Sequence, residues 1–144
     1  MTVYERPEHR EAQQRVVEAI ARQLGLLPWH RPTLAPFDGY LVTPRPKALA
    51  GAVEVKVRTC ARVTYPTCVV DVAKVDALLA SRRTDAWLAL FAVRWVDALG
   101  VITAERAAAC PTRPFSLTRP RDAGDVGDRV YDIPIEAFAD WSCP

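Results

Sequence analysis

The sequence predicts an α/β fold in which helices flank a small central mixed β-sheet. Three observations lead to this prediction: a helical apolar stripe near residue 16, an alternating strand at residues 52–58 and an apolar run at residues 87–96. Helices alternating with strands over 144 residues are typical of one α/β domain. We therefore expect residues 1–144 to form a single domain, with residues 111–128 as an irregular loop rich in Pro, Gly, Arg and Asp.

The first predicted element is a helix from Glu8 to Leu24. Pro7 suits its first turn and Gly25 suits its end. At about 100° per residue, five apolar residues form one stripe along it: Ala12, Val16, Ala19, Ile20 and Leu24. Such a stripe indicates a helix that packs one side against a sheet.

Two strands follow, over Phe37–Val42 and Ala52–Arg58, with Pro44-Arg45-Pro46 turning the chain between them. A strand sends alternate side chains to opposite faces. Val53, Val55 and Val57 would therefore form a core face, and Glu54, Lys56 and Arg58 would share the other face. A weaker β segment is expected at 61–65.

The second half of the chain continues the alternation. A helix is predicted over Val72–Arg83, and Trp87–Val96 reads as a central strand that is covered on both faces. A strand over Val101–Ala104 returns beside it. After the loop we expect a short β run over Arg129–Ile133 and a short helix from Pro134 through Trp141.

Composition narrows the class of protein. The formal net charge of +2 gives no global basic field that would announce a nucleic-acid partner. The first residues lack a signal peptide's apolar region, and the longest apolar run is too short to span a bilayer. We expect a cytoplasmic protein without a membrane partner. The four cysteines form no C-x-x-C pair, which disfavours structural zinc and favours free thiols.

The alternating strand also predicts a chemical site. If Asp38 comes from the neighbouring strand, its carboxylate joins that of Glu54 beside the ammonium of Lys56. Two carboxylates and the main-chain carbonyl of Val55 are oxygen ligands that suit Mg²⁺, and Lys56 could orient a water. Arg58 could hold a phosphate bidentately. A plain solvated Glu-x-Lys strand face is the competing interpretation.

These residues resemble a known pattern. Phe37-Asp38-Gly39-Tyr40 followed by Val53-Glu54-Val55-Lys56-Val57-Arg58 is similar to the PD-(D/E)xK nuclease superfamily, whose order is a helix, an Asp on one strand, Glu-x-Lys on the next, a helix and a strand. The order matches over residues 8–96. Phe37 stands where the family has proline. The resemblance implies a restriction-endonuclease-like core, αβββαβ.

A narrower resemblance is to small phage-encoded members. These carry Tyr-Pro-Thr after the Glu-x-Lys strand, a Lys opening the next helix, a strand ending in Val-Arg-aromatic, Arg-Asp and Gly-Asp loop pieces, and an Ile-Pro-Ile strand end. The matching pieces here are Tyr65-Pro66-Thr67, Lys74, Val93-Arg94-Trp95, Arg121-Asp122-Ala123-Gly124-Asp125 and Ile133-Pro134-Ile135.

The resemblance implies Asp38 and Glu54 as metal ligands and Lys56 as the catalytic lysine. Many members add an acidic residue from the first helix, for which Glu8 is the first choice because it borders the inward stripe. Glu11 on the far side and Gln13 on the inward side stay open as alternatives.

Outside this set, Lys74 and Tyr65 are candidates for contact with nucleic acid. Tyr65 is more simply a half-buried packing residue, whereas for Lys74 a solvated helix residue is an equal alternative. Asp122, Asp125 and Asp128 do not match a calcium loop and read as loop solvation.

The function implied is a Mg²⁺-dependent nuclease, with Mn²⁺ as a substitute, that cuts DNA in phage replication, recombination or repair. It would work in the cytoplasm of the host, and both monomer and homodimer stay open. One alternative is a catalytically inactive module on the same scaffold that binds nucleic acid or protein. Another is a phage structural protein in which Asp38 is isolated and no metal binds.

Overall fold

A computed structural model describes residues 7–30, 36–115 and 129–142. The first half contains one helix and three strands: α1 (Pro7–Leu24), β1 (Leu27–Trp29), β2 (Gly39–Pro44) and β3 (Lys47–Val57). α1 begins and ends within one residue of its prediction. Gly25 ends the helix with a φ of +69°, in the left-handed region that glycine adopts without a steric penalty.

The second half contains two further helices and six strands. These are β4 (Thr67–Asp71), α2 (Val72–Ala80), β5 (Leu88–Arg94), β6 (Leu99–Thr103), α3 (Ala104–Ala108), β7 (Thr112–Pro114), β8 (Arg129–Pro134) and β9 (Ala139–Asp140). Short 3₁₀ turns cover Arg62–Thr64 and Ile135–Ala137.

A six-stranded central sheet has the order β1-β2-β3-β5-β6-β9. β3 and β5 are parallel, and every other neighbouring pair in this sheet is antiparallel. α2 lies in the connection from β3 to β5, as a parallel pair requires. The prediction of an α/β fold with a mixed sheet and flanking helices is confirmed.

The central sheet has two covered faces. On the first, which we call the α1 face, α1 packs over β1, β2 and β3. Its apolar side chains include Val17, Ile20, Leu41, Val53 and Leu90. On the second, the α2 face, the core is shared by α2, α3 and a three-stranded sheet of order β4-β8-β7.

Close contact between β3 and β5 depends on a glycine. An ideal Cβ atom added to Gly51 would lie 2.3 Å from the carbonyl oxygen of Leu88, its partner in the parallel register. A backbone atom cannot move aside as a flexible side chain can. Gly51 therefore permits the approach of the two strands that form the middle of the sheet.

Several sequence expectations were wrong in detail. Residues 62–64 form a 3₁₀ turn, and the strand β4 begins later, where it pairs with β8. The predicted helix over Val72–Arg83 ends at Ala80. The predicted helix after Pro134 is instead a 3₁₀ turn followed by β9, which pairs with β6. Within the predicted loop 111–128, residues 112–114 form β7.

Among the described residues, no helix combines the length and the apolar composition that crossing a membrane requires. Residues 116–128, which include Asp122, Asp125 and Asp128, lie outside the described part of the chain, as does Cys143. Cys60, Cys68 and Cys110 are free thiols, as the sequence predicted for the cysteines.

Candidate active site

Asp38 immediately precedes β2, and its position follows from the register of the β2–β3 pair. Gly39 lies opposite Val53, so one further step of this antiparallel pairing places Asp38 opposite Glu54. Residues directly opposite each other put their side chains on the same face. The carboxyl groups of Asp38 and Glu54 are accordingly in hydrogen-bonding contact.

The Asp38 carboxylate is fixed by the backbone of β3. The N–H of Val55 donates a hydrogen bond of 2.7 Å to its Oδ2 atom. In a strand, the N–H and C=O of one residue point to the same side. The carbonyl of Val55 is therefore directed toward the side on which Asp38 lies.

Gly39 brings this corner of the sheet against α1. An ideal Cβ atom on Gly39 would lie 2.6 Å and 2.7 Å from the two Cγ atoms of Val17. Only a residue without a side chain fits between helix and strand at this distance. Asp38 therefore lies directly next to the residue at which β2 contacts α1, so a shift of either element would move its carboxylate.

Glu54 is the one charged residue that is buried among the described residues, with 8% of its surface exposed. Burial, followed by the hydrogen bond and charge of Asp38, raises the pKa of Glu54 to about 9, against a smaller opposite effect of Lys74. Two acids in contact favour sharing one proton, because ionising both would place like charges together in a poorly solvated site.

Lys56 lies two residues beyond Glu54 on the same face and is half-buried. Burial first, and then the cation of Arg58, lower the pKa of Lys56, while Cys68 and Asp71 act in the opposite direction. Within the described part of the chain, no hydrogen bond or ion pair occupies its ammonium group. A desolvated and unpaired lysine on the same strand face as a buried acid is the kind of group that functional sites contain.

Arg58 also lies on this side of β3, but its guanidinium is already engaged. Its Nη2 atom donates to the carbonyl of Val69 at 3.4 Å and lies 4.0 Å from the Sγ atom of Cys68. These contacts anchor the end of β3 to β4. A guanidinium has five N–H donors, so contact with a phosphate stays a prediction for the donors that remain.

Lys74 approaches Glu54 from α2, the helix that covers this face of the sheet. Its Nζ atom lies 4.0 Å from Oε1 of Glu54, and half of its side chain is exposed. The crossover helix therefore supplies a second cation next to Glu54. Lys74 was a candidate from the sequence, but the sequence pattern alone could not show that it lies beside Glu54.

Tyr65 is 63% exposed, together with Val63 in the 3₁₀ turn before it. The expectation of a half-buried packing residue was wrong, because the segment from Arg62 to Pro66 runs along the surface between the two sheets instead of forming a strand. Its role in binding nucleic acid stays a prediction.

The first-helix candidates do not complete the site. Glu8 and Glu11 are exposed on α1, and no third Asp, Glu, His or Cys of the described residues joins Asp38 and Glu54 in a group. Gln13 lies one helical turn before Val17, the residue that contacts Gly39, and is half-buried. The roles of Glu8, Glu11 and Gln13 stay predictions.

Sequence reasoning missed the contribution of β4 and its flanks. Cys68 is buried beside Arg58, and Asp71 is close enough to affect the pKa of Lys56. The alternation of Thr67-Cys68-Val69-Val70 was the available signal, but its pairing with β8 lies more than sixty residues away in sequence. Such a pairing cannot be read from a local pattern.

Comparisons of the chain with protein-family models, with curated proteins and with solved structures found no match in any of the three.

Proposed function

We propose that the protein is a Mg²⁺-dependent nuclease that hydrolyses DNA phosphodiester bonds at the site formed by Asp38, Glu54 and Lys56. The observation that carries this proposal is the contact between the two carboxyl groups, with an unpaired lysine on the same strand face. An interpretation of Glu54 and Lys56 as an ordinary solvated strand face does not account for the burial of Glu54 or for its contact with Asp38.

The donor set fits a hard divalent cation. Asp38 and Glu54 would supply carboxylate oxygens and Val55 a carbonyl oxygen, which are the hard ligands that Mg²⁺ prefers. When bound, such an ion neutralises charge that develops on the phosphate oxygens. It would also compensate the two like charges that otherwise favour a shared proton.

The residues of the chain have separate roles in this proposal. Lys56, with its lowered pKa, orients the attacking water and stabilises its developing negative charge. Lys74 attracts the phosphate from the α2 side, and the N–H of Val55 holds the Asp38 carboxylate in position. Arg58 and Tyr65 are candidates for contacts with the strand on either side of the cleaved bond.

The topology gives further support. The elements α1, β1, β2, β3, α2 and β5 follow the αβββαβ order that a restriction-endonuclease-like core requires, with β4 as an addition between β3 and α2. A phage origin and action in replication, recombination or repair belong to the same proposal.

The first experiment compares cleavage by the unaltered protein with Asp38→Asn and Lys56→Ala. Substrates are single-stranded, duplex, flap and four-way DNA with Mg²⁺ or Mn²⁺. Asp38→Asn keeps an oxygen that can accept from the N–H of Val55, so the fold should persist while a ligand charge is lost. Each variant should lose roughly 100-fold or more of the cleavage rate, the usual effect of removing one stabilising group.

Lys47→Ala is the matched control, because Lys47 is exposed at the other end of the same strand. It should cut at the rate of the unaltered protein. Unchanged cleavage by both Asp38→Asn and Lys56→Ala, with normal thermal midpoints, contradicts the proposal.

A catalytically inactive module that binds nucleic acid or protein is the second candidate. It is favoured by the lack of a third acidic ligand among the described residues. Salt-sensitive binding of DNA without hydrolysis, on every substrate and with both metals, would favour this function over the nuclease.

A further inference from the structure

A cavity lies on the α1 face, on the opposite side of the central sheet from Glu54. It has a volume of about 350 Å³. Its walls are the last turns of α1, the end of β5, the start of β6 and the residues that follow β9: Ala19, Arg22, Gln23, Arg94, Leu99, Trp141 and Ser142. We call it the arginine pocket.

Two arginines reach the pocket from different elements. Arg22 comes from the last turn of α1 and Arg94 from the end of β5, where the register places it opposite Leu99. Both are exposed, and within the described chain neither guanidinium takes part in a hydrogen bond or an ion pair. Two guanidinium groups that line one cavity carry like charges, and an anion bound between them would offset their repulsion.

No acidic residue is among the described residues that line the pocket. The nearest acid in sequence to Trp141 is Asp140, whose Oδ1 atom accepts hydrogen bonds from both the N–H and the hydroxyl of Ser142. On α1, Glu18 is directed to His30 at 3.2 Å. The residues that line the pocket therefore carry two positive charges and no negative charge, although the net charge of the chain is only +2.

The remaining wall of the pocket includes an aromatic residue, Trp141. Trp141 is half-buried against the apolar core of the α1 face, and its backbone is held by Leu99 and by Gln23. Indole faces stack on flat rings, and guanidinium groups bind phosphate oxygens through paired donors. The volume lies near the lower end of the range for small-molecule sites.

We propose that the arginine pocket binds a nucleotide, with its phosphate between Arg22 and Arg94 and its base against Trp141. The site lies on the other face of the sheet from the proposed active site, so this inference goes beyond the nuclease function and does not depend on it. The nucleotide can be free, or it can be part of a nucleic-acid strand.

The test is a calorimetric titration in EDTA, so that divalent metal contributes nothing. The probes are inorganic phosphate, dAMP and a short single-stranded oligomer of deoxyadenosine. Binding of dAMP or of the oligomer that is clearly tighter than binding of phosphate is expected. Tighter binding of dAMP identifies a free nucleotide as the ligand, and binding of the oligomer alone identifies a strand.

Arg22→Ala/Arg94→Ala should weaken that binding by about tenfold for each arginine removed, the usual effect of losing a hydrogen bond to a charged group. Arg15→Ala/Arg106→Ala is the matched control, because it removes the same charge from exposed positions on α1 and α3. It should bind within about twofold of the unaltered protein, a change too small to reflect a lost charged hydrogen bond.

Equal weakening by the two double variants, equal affinity for phosphate and dAMP, or no binding of any probe overturns the proposal. Asp38→Asn should bind the probes like the unaltered protein. Asp38→Asn should lose cleavage and keep nucleotide binding, and Arg22→Ala/Arg94→Ala should lose nucleotide binding and keep cleavage. Failure of this inference would change only the binding result, and failure of the nuclease proposal would change only the cleavage result.

Discussion

At the scale of single residues, Glu54 is where stability and function oppose each other. It is the buried acid of the described chain, and its contact with Asp38 favours the protonated form. A carboxyl that must be protonated to be stable in the fold cannot also bind a cation without losing its proton. The same contact that suggests a metal site therefore makes the metal-free protein sensitive to pH.

The pH dependence has a definite sign. The pKa of Glu54 rises from 4.5 to about 9 on folding, so between these values the folded state holds a proton that the unfolded state has released. Stability is then highest below about pH 4.5 and falls as the pH rises toward 9, by at most about 1.4 kcal/mol per pH unit. Glu54→Gln removes the ionisation and should flatten this decline.

Urea unfolding of the two proteins at pH 5 and pH 8.5, in EDTA, measures the effect. Glu54→Gln should resemble the unaltered protein at pH 5 and be the more stable protein at pH 8.5. The control is Glu11→Gln, since Glu11 is an exposed acid on α1 whose removal should leave the pH profile unchanged. Parallel profiles for all three proteins would contradict a strongly shifted Glu54.

At the scale of elements, the sequence predicted what depends on local periodicity. The stripe of α1, the alternation in β3 and the apolar run of β5 all specify a face or a burial by themselves. Each lies where it was expected, although β3 begins earlier than predicted, at Lys47. The pairing of Asp38 with Glu54 was also predictable, because the two strands are neighbours joined by a turn. Local signals sufficed wherever the partner was close in sequence.

What the sequence could not predict depends on distant partners. β9 is only two residues long, and it is a strand because β6 accepts it some forty residues away along the chain. The 3₁₀ turn at Arg62–Thr64 is tied down by the N–H of Arg62, which donates to Asp97. Such distant contacts override the local preference of the chain for a helix or a strand, and a short segment of sequence gives no indication of them.

The contact of α1 with β2 gives a prediction at this scale. Gly39→Ala puts a Cβ atom 2.6 Å and 2.7 Å from the two Cγ atoms of Val17, a clash that should cost about 1–3 kcal/mol of unfolding free energy. The helix or the strand must shift, and the Asp38 carboxylate next to the glycine shifts with it. Cleavage should therefore fall together with stability.

A double-mutant cycle with Val17→Ala tests that cause. Alanine at 17 removes both Cγ atoms, so adding Gly39→Ala in that background should cost less than it does in the unaltered protein. The difference in urea-unfolding free energy measures the coupling between helix and strand. Strictly additive losses would show that the clash is not what destabilises Gly39→Ala.

At the scale of the whole molecule, the central sheet separates the two proposed sites, which differ in chemistry. The α2 face holds the carboxyl pair and its two lysines, and the α1 face holds the arginine pocket. The C-terminal segment matters to the second site because Trp141 and Ser142 form one of its walls. The position of this C-terminal segment depends on contacts with parts of the chain that are distant in sequence.

Arg62 is the residue that connects the turn after β3 to that C-terminal segment. Its Nη2 atom donates to the carbonyls of Ile135 and Phe138, at 3.2 Å and 2.9 Å, and its guanidinium lies 5.5 Å above the ring of Trp95. Only 17% of its side chain is exposed. Hydrogen bonds from a buried cation to two carbonyls and a contact with an indole hold three separate parts of the chain together.

Arg62→Ala should lower the free energy of unfolding by about 2–4 kcal/mol, because two carbonyls lose a charged donor and the cation–π contact disappears. Arg83→Ala is the control, since Arg83 is exposed and lies over Trp87 in a comparable ring contact. It should cost about 0.5–1 kcal/mol. Hydrogen exchange should accelerate at the amide of Trp141, which donates to Leu99, in the first variant alone. Equal losses in the two variants, or an unchanged Trp141 amide, would mean that β9 is held by its pairing with β6 and not by the arginine.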